Sequence, residues 1–250
     1  MNIKEKTFPK GNIAKYFIYK YIKEKLLSTN DIIKIVDMGS GSGKQWDWLY
    51  YSDLKAKVEF HGFDIDKNAI KIAKDKKPDW NFYNEPAYKM EQIVNDVDII
   101  TTLSALEHVY KRKDFLNSAK MLLKKDGIFY LNYDNGHFLS NELREKIKTI
   151  LGPVFAKFGW ENWYQSFVWQ DEIEKYIGDL DFIVKDEFNF HQSTNKQFHR
   201  IVVDDISEEY MELWLNYEVD INRLIKKDIN SLKESNSNKY LLSKLFILSH

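Results

Sequence analysis

The chain has 250 residues, of which 44% are hydrophobic and 30% charged, and its net charge is −1. This length and balance predict one folded domain with a substantial core, and the near-neutral charge disfavours a nucleic-acid partner. The absence of cysteine excludes disulfides, thiolate metal sites and a cysteine nucleophile. Because no apolar tract is long enough for a membrane span and the first residues lack a signal core, we expect a cytoplasmic protein without membrane contact.

The first half of the chain is predicted to alternate between helices and strands. Apolar residues at helical spacing predict an N-terminal helix over 11–28. Short apolar runs predict five strands, at 33–37, 57–63, 80–83, 97–102 and 128–133, with helices at 44–53, 68–74 and 115–123. Strands that alternate with helices predict an α/β fold with a mainly parallel sheet.

The second half is predicted to start with a helix over 139–150 that stops at the Gly152-Pro153 pair. Seven aromatic residues follow and define an insertion over 150–170: Phe155, Phe158, Trp160, Trp163, Tyr164, Phe167 and Trp169. A helix at 171–178 comes next, and then two strands at 181–190 and 198–203 with a hairpin around 193–195. Residues 206–250 are predicted as a C-terminal helical extension, with helices at 208–226 and 240–248.

The most informative stretch follows the first predicted strand, where residues 37–43 have the sequence D-M-G-S-G-S-G. Glycine lets the backbone turn sharply and approach a ligand, and a helix start just behind it would offer free N–H groups. The spacing fits neither the P-loop nor the G-x-G-x-x-G dinucleotide pattern. The remaining D-x-G-x-G-x-G pattern resembles motif I of the class I S-adenosylmethionine-dependent methyltransferases.

Other segments resemble the same family. Asp64 ends the second predicted strand, where an acid can accept both hydroxyls of a ribose. Residues 103–109, L-S-A-L-E-H-V, and residues 123–127, L-K-K-D-G, are similar to the family's segments around strands four and five. The resemblance spans about residues 30–205. It implies a Rossmann-like, seven-stranded and mostly parallel sheet with helices on both faces, whose last strand is antiparallel and lies between strands five and six.

The resemblance implies S-adenosylmethionine as the cofactor and S-adenosylhomocysteine as its product. The implied cofactor-binding residues follow the strands, and they are Asp37, Gly39, Ser40, Gly41, Gly43, Asp64, Ile65, Asn84, Glu85, Leu103 and Ser104. Asp37 would orient the glycine loop or receive the methionyl ammonium, whereas Asp64 would bind the ribose. Ile65 would pack on the adenine. The adenine amino group would meet Asn84 or Glu85.

The reaction end of the site is predicted behind strand four, where Leu103 and Ser104 would border the sulfonium. His108 is the predicted general base because histidine titrates near neutral pH. Glu107 and His137 are alternatives for this catalytic role.

A metal-dependent reaction is a further alternative. Asp134-Asn135 resembles the Asp-Asn pair of metal-dependent catechol-type O-methyltransferases. That class has another acid where Leu103 stands here, so no metal is predicted. The segment after strand four also lacks the Asn/Asp-Pro-Pro-aromatic motif of amino-group methylases of DNA and protein.

We therefore expect a single methyltransferase domain over residues 1–250. It would transfer a methyl group to an oxygen or nitrogen of a small-molecule acceptor, in a pocket walled by the insertion 150–170. RNA methylation and a non-catalytic, cofactor-binding partner subunit are the alternatives, and the sequence is compatible with a homodimer.

Overall fold

The computed structural model describes residues 8–135, 143–161, 164–190, 206–232 and 243–250. The helices are α1 (Ile13–Ser28), α2 (Asp47–Tyr50), α3 (Lys67–Lys76), α4 (Arg112–Leu122), α5 (Leu143–Lys157), α6 (Gln170–Asp179) and α7 (Glu208–Leu232). The strands are β1 (Ile33–Met38), β2 (Val58–Phe63), β3 (Asn81–Tyr83), β4 (Val97–Leu103), β5 (Leu123–Asp134), β6 (Ile183–Phe190) and β7 (Ser243–Ser249). None of the helices in these ranges is long and apolar enough to cross a membrane.

The seven strands form one sheet in the order β3-β2-β1-β4-β5-β7-β6. The first five strands pair in parallel, whereas β7 pairs antiparallel with both β5 and β6. One apolar core lies between the sheet and helices α1 and α7, and a second lies between the sheet and helices α4 and α6. The predicted fold class is confirmed, including the antiparallel strand between β5 and β6.

The segment that forms the antiparallel strand differs from the prediction. The predicted helix at 240–248, part of the C-terminal helical extension 206–250, is wrong, because Ser243–Ser249 is strand β7. Every residue of β7 is buried, and both of its edges are paired. A short apolar run fits a buried helix or a buried strand equally well from periodicity alone. The strand predicted at 198–203 lies outside the described residues.

Two helix boundaries also differ from the prediction. The predicted stop at Gly152-Pro153 is wrong, because α5 continues through Pro153 to Lys157, although an internal proline removes one helical hydrogen bond. The predicted helix at 44–53 is instead a 3₁₀ turn, Lys44–Trp46, followed by the single turn of α2. The N-terminal helix predicted at 11–28 is confirmed as α1, which Asn12 caps through its side chain.

Candidate active site

The glycine loop after β1 is held tightly between its neighbours. The N–H groups of Gly39 and Ser40 both donate to the carbonyl of Phe63, at 2.8 and 3.0 Å. Gly39 has a φ of +84°, and a Cβ atom there would lie 2.3 Å from the Cβ of Ala105. The turn after β4 therefore occupies the space that any side chain at position 39 would need.

Asp37 supports this loop from below. Its side chain is fully buried, and one oxygen accepts hydrogen bonds from Gln45 Nε2 at 2.5 Å and Trp46 Nε1 at 2.7 Å. The other oxygen accepts the Thr101 hydroxyl at 2.8 Å. Burial raises the pKa of Asp37, and these hydrogen bonds oppose the shift. These bonds tie Asp37 to the turn behind the loop and to β4, and its buried carboxylate is not exposed to a ligand's ammonium group.

Asp64 lies where the ends of β1 and β2 meet. One carboxylate oxygen accepts the N–H of Gly41 and the other accepts the N–H of Asp66, each at 2.8 Å. Burial raises the pKa of Asp64, whereas these two backbone donors lower it. His108, when it is protonated, also lowers the pKa of this carboxyl group.

A cavity of about 420 Å³ opens at the carboxyl ends of β1 to β4. This volume suits a nucleoside-sized ligand, and its mixture of apolar walls and few polar groups is typical of ligand sites. Its lining residues are Gly39, Phe63, Asp64, Ile65, Asp66, Pro86, Ala87, Tyr88, Ser104, Ala105, His108, Val109, Phe115 and Glu161.

Five of the predicted site residues line this cavity: Gly39, Asp64, Ile65, Ser104 and His108. The others do not, namely Asp37, Ser40, Gly41, Gly43, Asn84, Glu85, Leu103 and Glu107. Leu103 instead borders a much smaller space of about 10 Å³ beside α1. His137 lies outside the described residues.

Ser104 adopts a strained backbone at the mouth of the cavity. Its φ of +57° is left-handed, a conformation that costs a residue with a Cβ on the order of 1–2 kcal/mol. Its N–H donates to the carbonyl of Asn132 on the neighbouring strand at 3.1 Å, which holds the turn in place. Strain of this kind concentrates at functional sites.

The two predicted catalytic residues, His108 and Glu107, have different surroundings. His108 is exposed and lines the cavity, whereas Glu107 is only 1% exposed and does not. Burial raises the pKa of Glu107 to about 8, although backbone N–H groups of Glu107 and Asp134 oppose the shift. Glu107 is therefore largely protonated at neutral pH and is poorly suited to accept a proton there.

The comparisons with known proteins agree with this geometry. Residues 36–131 match the family model of a methyltransferase domain, and this range contains the glycine loop, Asp64 and His108. Over these residues the chain is similar to methyltransferase domains. No curated protein matches the sequence.

Solved structures with the same fold are distant in sequence. A putative sarcosine dimethylglycine methyltransferase from Galdieria sulphuraria is 12% identical, with a TM-score of 0.56 over 94% of this chain and 84% of that one. The cyclopropane synthase MmaA2 of Mycobacterium tuberculosis is 19% identical, with a TM-score of 0.53 and the same coverage. An O-methyltransferase from a Brevibacillus brevis polyketide multienzyme, in complex with S-adenosylhomocysteine, is 13% identical, with a TM-score of 0.51 over 97% and 82%. At these identities the likeness establishes the fold and leaves the activity and the acceptor open.

The second half of the insertion is anchored to the rest of the fold by the buried side chain of Arg112. The Arg112 guanidinium donates to the carbonyls of Leu106, Ser166 and Phe167, at distances from 3.0 to 3.2 Å. It also donates to the carboxylate of Glu172 at 2.8 Å. Arg112 thereby ties the insertion to the turn after β4 and to α6.

Asn135 provides a second anchor at the end of β5. Its side-chain amide donates to the carbonyl of Val168 and its oxygen accepts the Val168 N–H, both at 3.0 Å. The Asp134-Asn135 pair therefore does not present a free amide for a metal. Within the ranges that the structure describes, no group of three or more His, Asp or Glu residues could hold a metal ion.

The aromatic residues of the insertion form an outer surface. Phe158, Trp160 and Trp169 are 77%, 63% and 63% exposed, and Tyr164 is buried against Tyr110 with ring centroids 5.3 Å apart. Among the described residues of the insertion, Glu161 alone lines the cavity. Trp163 lies outside the described residues.

Sequence reasoning missed several residues that line the cavity, notably Tyr88, Ala105, Val109 and Glu161. Ala105 and Val109 lie in the segment 103–109 that carries the family resemblance, so their neighbours in the sequence could have indicated them. Tyr88 and Glu161 are brought together only by the fold, and no local sequence pattern indicates that either residue lines the cavity.

Proposed function

We propose that this protein binds S-adenosylmethionine in the 420 Å³ cavity and transfers its methyl group to an oxygen or nitrogen of a small-molecule acceptor. The observation that carries the proposal is that Asp64, Gly39 of the glycine loop and His108 line a single cavity. A carboxylate at the end of the second strand beside a glycine turn is the arrangement expected for a nucleoside ligand.

The residues present fit this cofactor. Gly39 lines the cavity and has no side chain, so a ligand can approach its backbone. Ala105 occupies the place where a side chain of residue 39 would lie. Asp64 offers carboxylate oxygens to the ribose hydroxyls. Ile65 and Val109 provide apolar surface for the adenine ring.

The cofactor supplies a methyl group that its sulfonium already activates. The chain has to align the acceptor, exclude water and hold the acceptor's proton. Alignment alone can lower a barrier by roughly 7–11 kcal/mol in favourable cases. A positioned base such as His108 contributes roughly 10²- to 10⁴-fold.

The surface of the insertion supports an apolar acceptor. Phe158 and Trp160 are exposed, and the face of α5 that precedes them carries exposed Ile150 and Val154. Contiguous exposed apolar residues near a ligand cavity mark binding surfaces. A flat or apolar molecule held there would reach the cavity past Glu161, which lines it.

The test has two stages. Calorimetry should show that the protein binds S-adenosylhomocysteine, and radiolabelled S-adenosylmethionine with cell extract should label the small-molecule fraction. Label in the RNA fraction, together with RNA binding that depends steeply on salt, would show that the acceptor is RNA and not a small molecule. Tight cofactor binding without label in any fraction would indicate a non-catalytic partner subunit.

The role of His108 is tested once a labelled acceptor is known. His108→Gln should lower kcat by about 10²-fold or more and remove the pH dependence near neutrality, while S-adenosylhomocysteine affinity changes little. Full turnover of this variant across the pH range would show that His108 is not the base.

A further inference from the structure

Three carboxylates line the cavity within the described part of the chain, and they are engaged to different degrees. Asp64 accepts two backbone N–H groups at 2.8 Å, and Asp66 caps α3 with its side chain. The Glu161 oxygens have longer contacts, at 3.4 and 3.5 Å to the Tyr88 hydroxyl and 4.0 Å to Lys111 Nζ. Glu161 is therefore the carboxylate with most capacity left for a ligand's donor group.

The residues predicted to contact the adenine amino group lie outside the lining of the cavity. The Asn84 side-chain amide donates to the carbonyls of Asp64 and Ile65, at 3.1 and 2.9 Å. Its NH₂ group thus holds the turn after β2. Asn84 and Glu85 are both exposed, and neither lines the cavity.

The sheet order indicates which end of the cavity Glu161 occupies. The strand order β3-β2-β1-β4 places the end of β3 on the opposite side of Asp64 from the ends of β1 and β4, and the segment that follows β3 brings Tyr88 to the cavity. With the ribose on Asp64 and the methionyl group beside Gly39 and Ser104, the adenine lies on the Tyr88 side. Glu161 contacts Tyr88 on this side.

We infer that the Glu161 carboxylate accepts a hydrogen bond from the exocyclic amino group of the cofactor's adenine, in place of a residue after β3. This inference rests on the proposed function. A charge-assisted hydrogen bond of this kind selects a purine that carries an amino group. Tyr88 and Lys111 position the carboxylate, because the hydroxyl and the ammonium group both approach Glu161 Oε1, at 3.5 and 4.0 Å.

Recognition of the base by Glu161 links the cofactor site to the insertion. Glu161 is in the same chain segment as Tyr164, whose N–H donates to the Glu161 carbonyl at 2.8 Å. Ser166 then donates its N–H to the carbonyl of Glu107 at 3.0 Å. A bound cofactor would therefore hold in place the insertion, which we propose as the binding surface for the acceptor.

The test compares S-adenosylhomocysteine with its analogue in which unsubstituted purine replaces adenine. Calorimetry on the wild-type protein should show at least about tenfold weaker binding of the purine analogue. Glu161→Ala should bring the ratio of the two dissociation constants close to one, and Glu161→Gln should give an intermediate ratio because a neutral amide oxygen still accepts. Asp114→Asn is the charge-matched control, since Asp114 is exposed near Tyr88 but does not line the cavity.

An unchanged ratio in Glu161→Ala would overturn the inference, and so would loss of the ratio in Glu85→Gln. If the wild-type protein binds neither compound, the proposed function fails and the inference fails with it. Glu161→Gln keeps the size of the side chain, so a lowered ratio in that variant with an unchanged unfolding midpoint supports direct recognition.

Discussion

The loops after β1 and β2 and the insertion 150–170 both border the same cavity, but they are held by different kinds of interaction. The glycine loop is fixed by backbone contacts, such as the two N–H groups that donate to Phe63. The insertion is fixed by side chains, chiefly Arg112 and Asn135, that are distant in sequence. In the first arrangement the contacts are made mainly by the main chain of the loop, and in the second they depend on single long-range side chains.

This difference predicts which substitutions each side tolerates. At the glycine loop the backbone needs the space that a side chain would fill, so a substitution that adds one methyl group should weaken cofactor binding. At the insertion, buried polar groups need their hydrogen-bond partners, so the removal of one such side chain should lower folding stability. The following variants test the comparison.

The largest effect is expected for Gly39→Ala. The new Cβ would lie 2.3 Å from that of Ala105, so the loop must move, and the dissociation constant for S-adenosylhomocysteine should rise by about 100-fold or more. Gly41→Ala is the matched control, because its φ is also positive but no atom lies within 4 Å of a Cβ there. We expect less than tenfold weakening for Gly41→Ala. Equal losses in the two variants by calorimetry would contradict a spatial cause.

Arg112→Ala should produce the next largest change, this time in folding stability. It leaves Glu172 and three carbonyl groups without their donor, so the free energy of unfolding in urea should fall by about 3 kcal/mol. Lys113→Ala, which removes an exposed ion pair with Asp179, should leave the unfolding midpoint unchanged. A similar midpoint for both variants would show that Arg112 does not anchor the insertion.

Glu107 predicts a pH-dependent effect of moderate size. Its pKa is raised to about 8 by burial, so the folded state keeps a proton that the unfolded chain loses above about pH 4.5. Stability should therefore fall as the pH rises from about 5 to 8 and change little from this group above that range. Glu107→Gln should lack this contribution to the fall in stability. Thermal unfolding of the wild-type protein and the variant from pH 5 to 9 would measure the difference. A parallel decline in the variant would assign the pH dependence to other groups.

The smallest change in stability is expected for Trp160→Ala. Its side chain is 63% exposed, so the free energy of unfolding should change by less than about 0.5 kcal/mol, and the affinity for S-adenosylhomocysteine should stay the same. The KM for an apolar acceptor should rise, because the variant removes part of the proposed acceptor surface. Tyr164→Ala, at a buried position, should instead lower stability. A large stability loss for Trp160→Ala would place that ring in the core.

The same comparison explains what could be predicted from the sequence. The glycine loop and Asp64 were recognisable because their function depends on residue types at fixed local spacing. Asn84 has a polar side chain at the expected place, but the sequence cannot show that its amide already serves the carbonyls of Asp64 and Ile65. Glu161 carries no local signal, since only the fold brings it to Tyr88.

The fold class could be predicted from the apolar segments that alternate along the chain, but strand β7 could not. Residues 243–249 are apolar and short, and only their pairing with β5 and β6 distinguishes a strand from a helix. The continuation of α5 through Pro153 likewise reflects tertiary context, because proline alone favours a helix end.

The position of β7 has a consequence for synthesis of the protein. This strand is the last along the described chain, yet it lies inside the sheet with a neighbour on each edge. While a ribosome is still translating the residues before 243, the nascent chain has open edges on β5 and β6, and open edges recruit strands from other molecules. Chaperone protection during slow translation is therefore expected to matter most before residues 243–249 are translated.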